Sequence, residues 1–372
     1  FQEQILRVAV EVAGLSWAQA DFLRRGMSKM DASEMAPLQQ AFEHGCQRPP
    51  PQGPGFTPQQ ACQLWEQVAV FSGYGFNQGH ATAYAEVSFR SAYLKAHYPA
   101  QFLCARLADY GGFHHPAVYM AEAVRLGLTV RPPHVNFSAE AFSLAEGRSG
   151  PVLFMGLGQV RDLRQAAITA ICQERGAGKF SDLRDLLRRV ALRPKEIEHL
   201  IRGGALDGLA RSRASLLAEA QEFRHGSAGQ MIFDFGRRAV PAETLRQRWD
   251  WETELLGLPV SALTDPLALV RASLPAHVPL AELSAFPGRS LLTAGVRLPG
   301  WTGGPGFFLG DGATFVIARG DKAAKSPAPW QPLLVQGRWV GDGWGTTWLQ
   351  VEEGGEVQSA KCKVQNAESG DS

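Results

Sequence analysis

The sequence lacks the signatures of several common protein classes. Its five cysteines, at positions 46, 62, 104, 172 and 362, are scattered, and none forms a C-x-x-C pair. Neither a zinc site nor a disulfide framework is supported, which fits a reducing cytoplasm. No apolar run reaches the roughly 18 residues of a membrane span, and no signal peptide is evident. The balance of 37 Lys and Arg against 36 Asp and Glu argues neither for nor against a nucleic-acid partner.

The length and the hydrophobic periodicity predict a multidomain chain. Its 372 residues are enough for two or three domains with hydrophobic cores. Ile5, Val8 and Val12 recur at helical spacing, whereas the proline-rich run 48–55 cannot be helical and predicts a loop. After Gly288 the pattern changes to short β-like runs separated by Gly, Asp and Pro. The fold class is therefore α followed by β.

The C-terminal third predicts five short strands. They cover residues 291–296, 307–308, 314–318, 333–340 and 346–351. Five strands of this length predict a small closed barrel of the OB type. The polar tail that follows is predicted to be disordered.

Two long segments carry a resemblance to a known family. Residues 71–85 read FSGYGFNQGHATAYA, and residues 93–100 read YLKAHYPA. These segments resemble the fingers of bacterial C-family DNA polymerases, the alpha subunit of DNA polymerase III and its error-prone relatives. Further segments resemble the family in the same order: QEQ at 2–4, ADFLRRGMSK at 20–29, GLTVRPPHVN at 127–136 and LIRGGALD at 200–207.

The resemblance implies a particular domain order. We expect a partial fingers domain, an extended linker, a helix-hairpin-helix domain, a connector with a clamp-binding peptide and a helix, an OB-like domain and a disordered tail. Their expected bounds are 1–125, 126–155, 156–225, 226–284, 285–357 and 358–372, respectively. The expected partners are primer–template DNA, a deoxynucleoside triphosphate and the bacterial sliding clamp, with no membrane.

Basic residues near the start are candidates for binding the nucleotide's phosphates. Arg24, Arg25 and Lys29 fall within the matching segment, and Arg25 and Lys29 are four residues apart, so they share a helical face. Adjacent cations beside a triphosphate donate charge-assisted hydrogen bonds to the leaving pyrophosphate. The alternative is a solvated helix surface.

The glycine-rich fingers segment supplies the other nucleotide-binding candidates. Asn77 and His80 can donate to a phosphate or a base edge, and glycine lets a backbone approach a ligand closely. The family usually has Lys-Ser where this chain has Gln78-Gly79, so one cation is missing. Lys95 on the next helix is a further candidate. The alternatives are a turn or core histidine at His80 and an ordinary surface lysine at Lys95.

The helix-hairpin-helix region departs from the pattern of its family. In such motifs a Gly-apolar-Gly hairpin exposes N–H groups at a helix start to a DNA phosphate. The matching positions 162–164 read Asp-Leu-Arg, and this aspartate would repel a phosphate. Gly156 and Gly158 lie just upstream, and with Arg161 and Arg164 they are the DNA-binding candidates. A purely structural helical domain is the alternative.

One short motif resembles the peptide by which bacterial polymerases dock on the sliding clamp. Gln230 begins the run QMIFDF, in which Ile232, Phe233 and Phe235 supply the apolar side chains. The flanks contain several glycines, so the motif is expected to be accessible, with the apolar residues filling a pocket on the clamp. The alternative is a strand or a loop anchored in a core.

The resemblance also implies a pair of residues that the sequence does not contain. The family's palm carries a P-D-x-D pair that holds Mg²⁺, and no two aspartates here stand two apart. We therefore expect no catalytic residue, metal site or cofactor in this chain, and Mg²⁺ in the complete polymerase. The leading hypothesis is a downstream polymerase fragment that needs a separate palm-bearing polypeptide. The alternatives are a non-catalytic DNA- and clamp-binding accessory protein and a decayed polymerase fragment.

Overall fold

The protein divides into two compact units, Phe1–Leu94 and Lys95–Ser372. The computed structural model describes residues 1–26, 32–72, 77–110, 112–210, 212–225, 240–320 and 328–356. The division falls within a helix, about thirty residues before the expected end of the fingers at 125. The reason is that the helices from Pro99 to Arg125 bury their apolar residues in the core of the second unit.

The described part of the first unit is helical. Its elements are α1 (Gln2–Arg7), a π-helical turn (Val8–Val12), α2 (Trp17–Gly26), α3 (Ala32–Gln47), α4 (Pro58–Ser72) and α5 (Gln78–His97), whose last turn enters the second unit. The core contains Leu23 and Phe42, and the Phe42 ring packs edge-on against Trp65 at 5.4 Å. In contrast, α5 buries none of its residues.

The second unit opens with helices and a small sheet around one core. The helices are α6 (Pro99–Ala108), α7 (Pro116–Arg125), α8 (Gln165–Gly176), α9 (Leu183–Arg189), α10 (Pro194–Arg202), α11 (Arg213–His225) and α12 (Leu245–Leu256). The strands are β1 (Thr129–Arg131), β2 (Ser143–Gly147) and β3 (Gly150–Phe154). Leu103, Met120, Leu153 and Leu200 share the core.

The three strands correct the expectation of an extended linker over 126–155. They pair in the order β1-β3-β2, with β1 parallel and β2 antiparallel to β3. Leu153 in the central strand is fully buried, and Met155 just beyond it is nearly so. Pro132 and Pro133, which predicted an extended chain, directly follow β1 and have no regular secondary structure. This segment is therefore part of the domain that follows.

The C-terminal region is a β-domain, as predicted. Its strands are β4 (Ser290–Leu298), β5 (Gly306–Gly310), β6 (Phe315–Arg319), β7 (Pro332–Gly341) and β8 (Thr347–Glu356). They pair in the order β4-β5-β6-β8-β7, and β7 pairs back to β4, which closes the ring. Leu349 and Val351 are buried, as the alternation of the last predicted strand required.

Strand β5 is buried on both faces. Phe307 and Leu309 point into the barrel, where they meet Leu283 and Val335. Phe308 points outwards and packs in a second cluster with Val118 of α7. Successive side chains of a strand face opposite ways, so β5 contributes residues to two hydrophobic clusters. The barrel thereby packs against the helical part of the same unit.

A buried ionic cluster joins α11 to α12. Arg213 is 1% exposed, and its Nη2 lies 2.7 Å from Asp207 Oδ2 and 2.8 Å from Glu252 Oε1. Glu252 in turn accepts hydrogen bonds from the backbone N–H and the hydroxyl of Ser261 at 2.8 Å. All the charges are paired, as burial requires.

Candidate nucleic-acid interface

The starts of α8 and α10 lie side by side. Arg164 is the residue before α8, and Arg193 is the residue before α10. The Arg164 guanidinium donates to both Glu196 carboxylate oxygens at 2.6 and 2.8 Å. Glu196 also accepts from the backbone N–H groups of Arg164 at 3.3 Å and Arg193 at 2.7 Å. One carboxylate thus ties both helix starts together.

These bonds keep Glu196 ionised. The Arg164 guanidinium, opposed by burial and helped by the two N–H donors, lowers the pKa of Glu196 from 4.5 to about 2. The Glu196 side chain is 2% exposed, so its charge depends on this pairing. Glu196 therefore holds the starts of α8 and α10 together.

A second ion pair crosses between the same two loops. Lys195 Nζ lies 2.8 Å from Asp162 Oδ2, with both side chains exposed, and this lowers the pKa of Asp162. Asp162 has a φ of 60°, the left-handed conformation that favours glycine. His199 Nδ1 lies 2.6 Å from the Arg161 carbonyl, which can only accept, so Nδ1 carries the proton.

Together these residues form a surface with excess positive charge. We call it the hairpin face: Arg161, Asp162, Arg164, Arg193, Lys195 and Glu196. Its four cations exceed its two carboxylates by two, and Arg161, Arg193 and Lys195 are exposed. Gln165 and Ala166 are exposed in the first turn of α8, where N–H groups have no intrahelical partner. Such a helix start attracts anions.

The predicted glycines have a different local role. Gly156 is buried, and a Cβ there would come within 2.2 Å of the Glu140 carbonyl oxygen. The Gly158 N–H donates to the same oxygen at 2.9 Å. These glycines let two backbones cross closely, so the Gly158 N–H is already used within the fold, and the glycines stand outside the hairpin face.

The nucleotide-binding candidates of the first unit lie on two helices. Arg24 and Arg25 both pair with Asp21 on α2, at 2.7 Å for Arg24. The pKa of Asp21 is lowered, chiefly by the hydrogen bond from Arg24. Lys29 lies outside the described residues.

The start of α5 holds the remaining candidates of that unit. Asn77 Oδ1 accepts from the His80 N–H at 2.9 Å, and the His80 ring lies 4.3 Å from the ring of Tyr84. Both carboxylate oxygens of Glu3 accept from the Gln78 N–H at 3.0 Å. An acidic side chain therefore sits where the helix start attracts anions.

Lys95 belongs to the second unit. Its Nζ lies 2.7 Å from Glu122 Oε1, and Arg125 pairs with the same carboxylate at 2.6 Å. Lys95 is thus already engaged in an ion pair within the fold. Its contact with nucleic acid stays a prediction.

Other predicted features lie outside what the structure describes. The clamp motif, with Gln230, Ile232, Phe233 and Phe235, and the tail 358–372 lie outside the described residues. Within the described ranges, no helix is long and apolar enough to cross a membrane. Those ranges also contain no group of three His, Cys, Asp or Glu side chains that could hold a metal ion.

Sequence reasoning missed half of the hairpin face. Arg193, Lys195 and Glu196 were not among the predicted residues. Their run, R-P-K-E, carried a usable signal, because Pro at the first helical position and Glu two residues later mark a helix start. The pairing of that start with the loop at 161–164 had no local signal, because it joins residues about thirty positions apart.

Comparisons with known proteins match two separate regions. The model for the bacterial DNA polymerase III alpha subunit finger domain matches residues 1–49. The helix-hairpin-helix motif model matches residues 127–216, which include the whole hairpin face. Among solved structures, the hypothetical protein ygiW from E. coli is 11% identical with a TM-score of 0.20, covering 22% of this chain and 91% of that one.

Sequence relatives give the same family. The DNA polymerase III alpha subunit of Helicobacter pylori strain J99 is 34% identical over 66% of this chain and 20% of the relative. Those of Mycobacterium tuberculosis and Thermus aquaticus are 37% and 36% identical over 58% and 59% of this chain, and 18% of each relative. The chain thus spans about one fifth of the length of the relatives that it matches. The chain is therefore similar to bacterial C-family polymerase alpha subunits in its finger and helix-hairpin-helix regions.

Proposed function

We propose that this chain is the DNA-binding portion of a DNA-directed DNA polymerase acting in replication or error-prone repair synthesis. The observation that carries the proposal is the hairpin face, where two helix starts are joined by Glu196 and surrounded by exposed cations. It lies in the region that matches the helix-hairpin-helix motif. The ligand is the phosphate backbone of the primer–template duplex.

The physical chemistry of the hairpin face supports a phosphate ligand. Exposed guanidinium groups donate charge-assisted hydrogen bonds to phosphate oxygens. The start of α8 adds N–H donors and a partial positive charge. Such contacts fix the position of a duplex and carry no sequence information, which suits a protein that must move along any template.

Fluorescence anisotropy with a labelled primer–template duplex tests this proposal. The double variant Arg161→Ala/Arg193→Ala should weaken binding and flatten the dependence of log affinity on log salt by about two. The matched control is Arg246→Ala/Arg289→Ala, which removes two exposed cations elsewhere. Equal behaviour of the two double variants, or no duplex binding by the parent chain, would contradict the proposal.

We also propose that Arg24, Arg25, Lys29, Asn77, His80 and Lys95 contact the deoxynucleoside triphosphate. The support is the resemblance of their segments to polymerase fingers and the clustering of cations on α2. A triphosphate would have to compete with the carboxylates of Asp21, Glu3 and Glu122 for these groups. The chemistry itself needs the palm and its Mg²⁺, which we assign to another polypeptide segment.

We propose that the barrel is an OB-fold and that the chain is cytoplasmic. The closed strand order β4-β5-β6-β8-β7 supports the OB assignment. The cysteines support the location, because the four described ones, Cys46, Cys62, Cys104 and Cys172, are all free thiols.

We propose that Gln230, Ile232, Phe233 and Phe235 dock on the bacterial sliding clamp. The support is the motif itself. Replacing Gln230, Phe233 and Phe235 by alanine together should abolish clamp binding in a titration, since each pocket anchor typically contributes ~2 kcal/mol or more. Thermal melting of the same samples is the control. Retained clamp binding would refute docking, and a sharp fall in melting temperature would identify the two aromatics as core residues.

A further inference from the structure

A cavity of about 480 Å³ opens on one face of the small sheet β1-β3-β2. Thr129 and Arg131 of β1 line it, and so do their register partners on β3, Val152 and Phe154. Leu153, between the last two, faces the other way and is fully buried in the core. The sheet therefore has one structural face and one face that borders an open cavity of the size that holds small ligands.

Three aromatic rings stand together at this cavity. Phe137 stacks on Phe154 with ring centres 5.2 Å apart and planes at 22°. The His134 ring lies 4.8 Å from Phe137. Its Nδ1 accepts from the Asn136 N–H at 3.0 Å, so its Nε2 donates to the Asp207 carbonyl at 2.9 Å. The imidazole is therefore fixed, and burial lowers its pKa, so it contributes a neutral ring.

The charge that lines the cavity is positive. Arg131 is exposed on β1, and Arg148 is exposed in the turn between β2 and β3. Within the part of the chain that the structure describes, neither guanidinium has a carboxylate within ion-pair distance. Lys179 is not a lining residue, but its Nζ lies 4.4 Å from the centre of the ring of Phe137, which is one. The lining carboxylate, Asp207, is already neutralised by Arg213.

We propose that this cavity binds one nucleoside phosphate unit. The base lies against the rings of Phe137 and His134, and the phosphate lies between Arg131 and Arg148. Aromatic rings beside cations are the combination that binds single-stranded nucleic acid, because every base can stack on a ring and every phosphodiester group carries a negative charge. The unit is either a free nucleotide or one nucleotide of an unpaired strand. This inference rests on the proposed function only in taking nucleic acid as the partner.

Isothermal titration calorimetry of the full chain with three ligands tests the inference. The ligands are 2′-deoxyadenosine 5′-monophosphate, a short oligodeoxyadenylate and 2-deoxyribose 5-phosphate, which has no base. Arg131→Ala/Arg148→Ala should weaken the base-containing ligands at least about tenfold. The control Arg246→Ala/Arg289→Ala, of equal charge, should change them much less.

The aromatic part of the site has its own variants. Phe137→Ala should weaken the base-containing ligands about fivefold or more, and should leave the sugar phosphate unchanged. Phe137→Leu tests the same ring with less loss of packing, and thermal melting verifies that both variants fold.

The outcomes separate this inference from the proposed function. Binding of the oligonucleotide without the monophosphate supports an unpaired strand as the source, and binding of both supports a free nucleotide. Failure of both ligands to bind, or equal effects of the cavity and control variants, overturns the inference. Duplex binding that depends on Arg161 and Arg193 would still stand in that case, because the hairpin face is measured with a separate ligand and separate variants.

Discussion

The starts of α5 and α8 are both occupied by a carboxylate, but the two carboxylates have different surroundings. At α5, Glu3 accepts a hydrogen bond from the Gln78 N–H, and none of the arginines that the structure describes shares that contact. At α8, Glu196 bonds the Arg164 N–H and is also held by the Arg164 guanidinium. The Glu3 carboxylate therefore occupies the place at the start of α5 where an external anion would bind. The second is neutralised, so the surrounding surface keeps a positive excess for an external phosphate.

The largest expected effect concerns Glu196 and stability. Glu196→Gln should lower the free energy of unfolding by about 2 kcal/mol at pH 7, because it removes a buried charge held by Arg164. This is less than the full pKa shift implies, since Arg164 is partly exposed. Urea denaturation measures the loss. Glu174→Gln, at a partly exposed residue whose carboxylate lies 3.6 Å from Arg189, should cost less than about 0.5 kcal/mol. A similar loss in both variants would contradict the central role of Glu196.

The stability that Glu196 contributes should depend on pH. The folded pKa of Glu196 is depressed, so its contribution is fully present above 4.5 and is lost as the pH falls towards about 2. The stability difference between the parent chain and Glu196→Gln should therefore shrink across this window. Denaturation curves at a series of pH values measure it, and a difference that stays constant down to about pH 2 would refute the assigned pKa.

Asp162 tests whether a carboxylate in the hairpin face opposes DNA. Asp162→Asn keeps a residue that tolerates a φ of 60° and removes the charge, which also releases Lys195. Duplex affinity should rise about fivefold to tenfold, with a salt slope steeper by about one. Asp162→Gly should do at least as well, since glycine is unstrained there. Asp265→Asn, which removes another exposed and paired carboxylate, is the control, and an equal gain there would point to overall charge alone.

The smallest effect is expected at α5. Glu3→Gln should raise the affinity for a deoxynucleoside triphosphate about threefold, because it takes a competing anion away from the helix start. Equilibrium titration measures the change. Glu11→Gln, an exposed carboxylate paired with Arg7, is the matched control. If Glu3→Gln leaves the affinity unchanged, the start of α5 does not bind the phosphates of the triphosphate.

Local patterns predicted the C-terminal strands well. Each of the five β-like runs became a strand, because alternating apolar residues and glycine-rich turns are local signals. The same signals did not predict that Phe307 and Phe308 would both be buried, since that depends on α7 packing against the outside of the barrel.

The site was predicted only in part. Arg161 and Arg164 were identified from the resemblance, whereas Lys195 and Glu196 join them only through a contact between distant loops. The expectation that Asp162 would repel a phosphate remains untested. The structure adds that its charge is partly balanced by Lys195 and that it occupies a backbone conformation suited to glycine.

The double burial of β5 has a consequence for cooperativity. Phe308 contributes to the cluster around Val118, while Phe307, the preceding residue, contributes to the barrel interior. Opening the barrel would pull Phe308 away from α7, and loosening α7 would uncover one face of a barrel strand. The barrel and the helices of the second unit should therefore lose their slowly exchanging amide hydrogens together, as a single cooperative block.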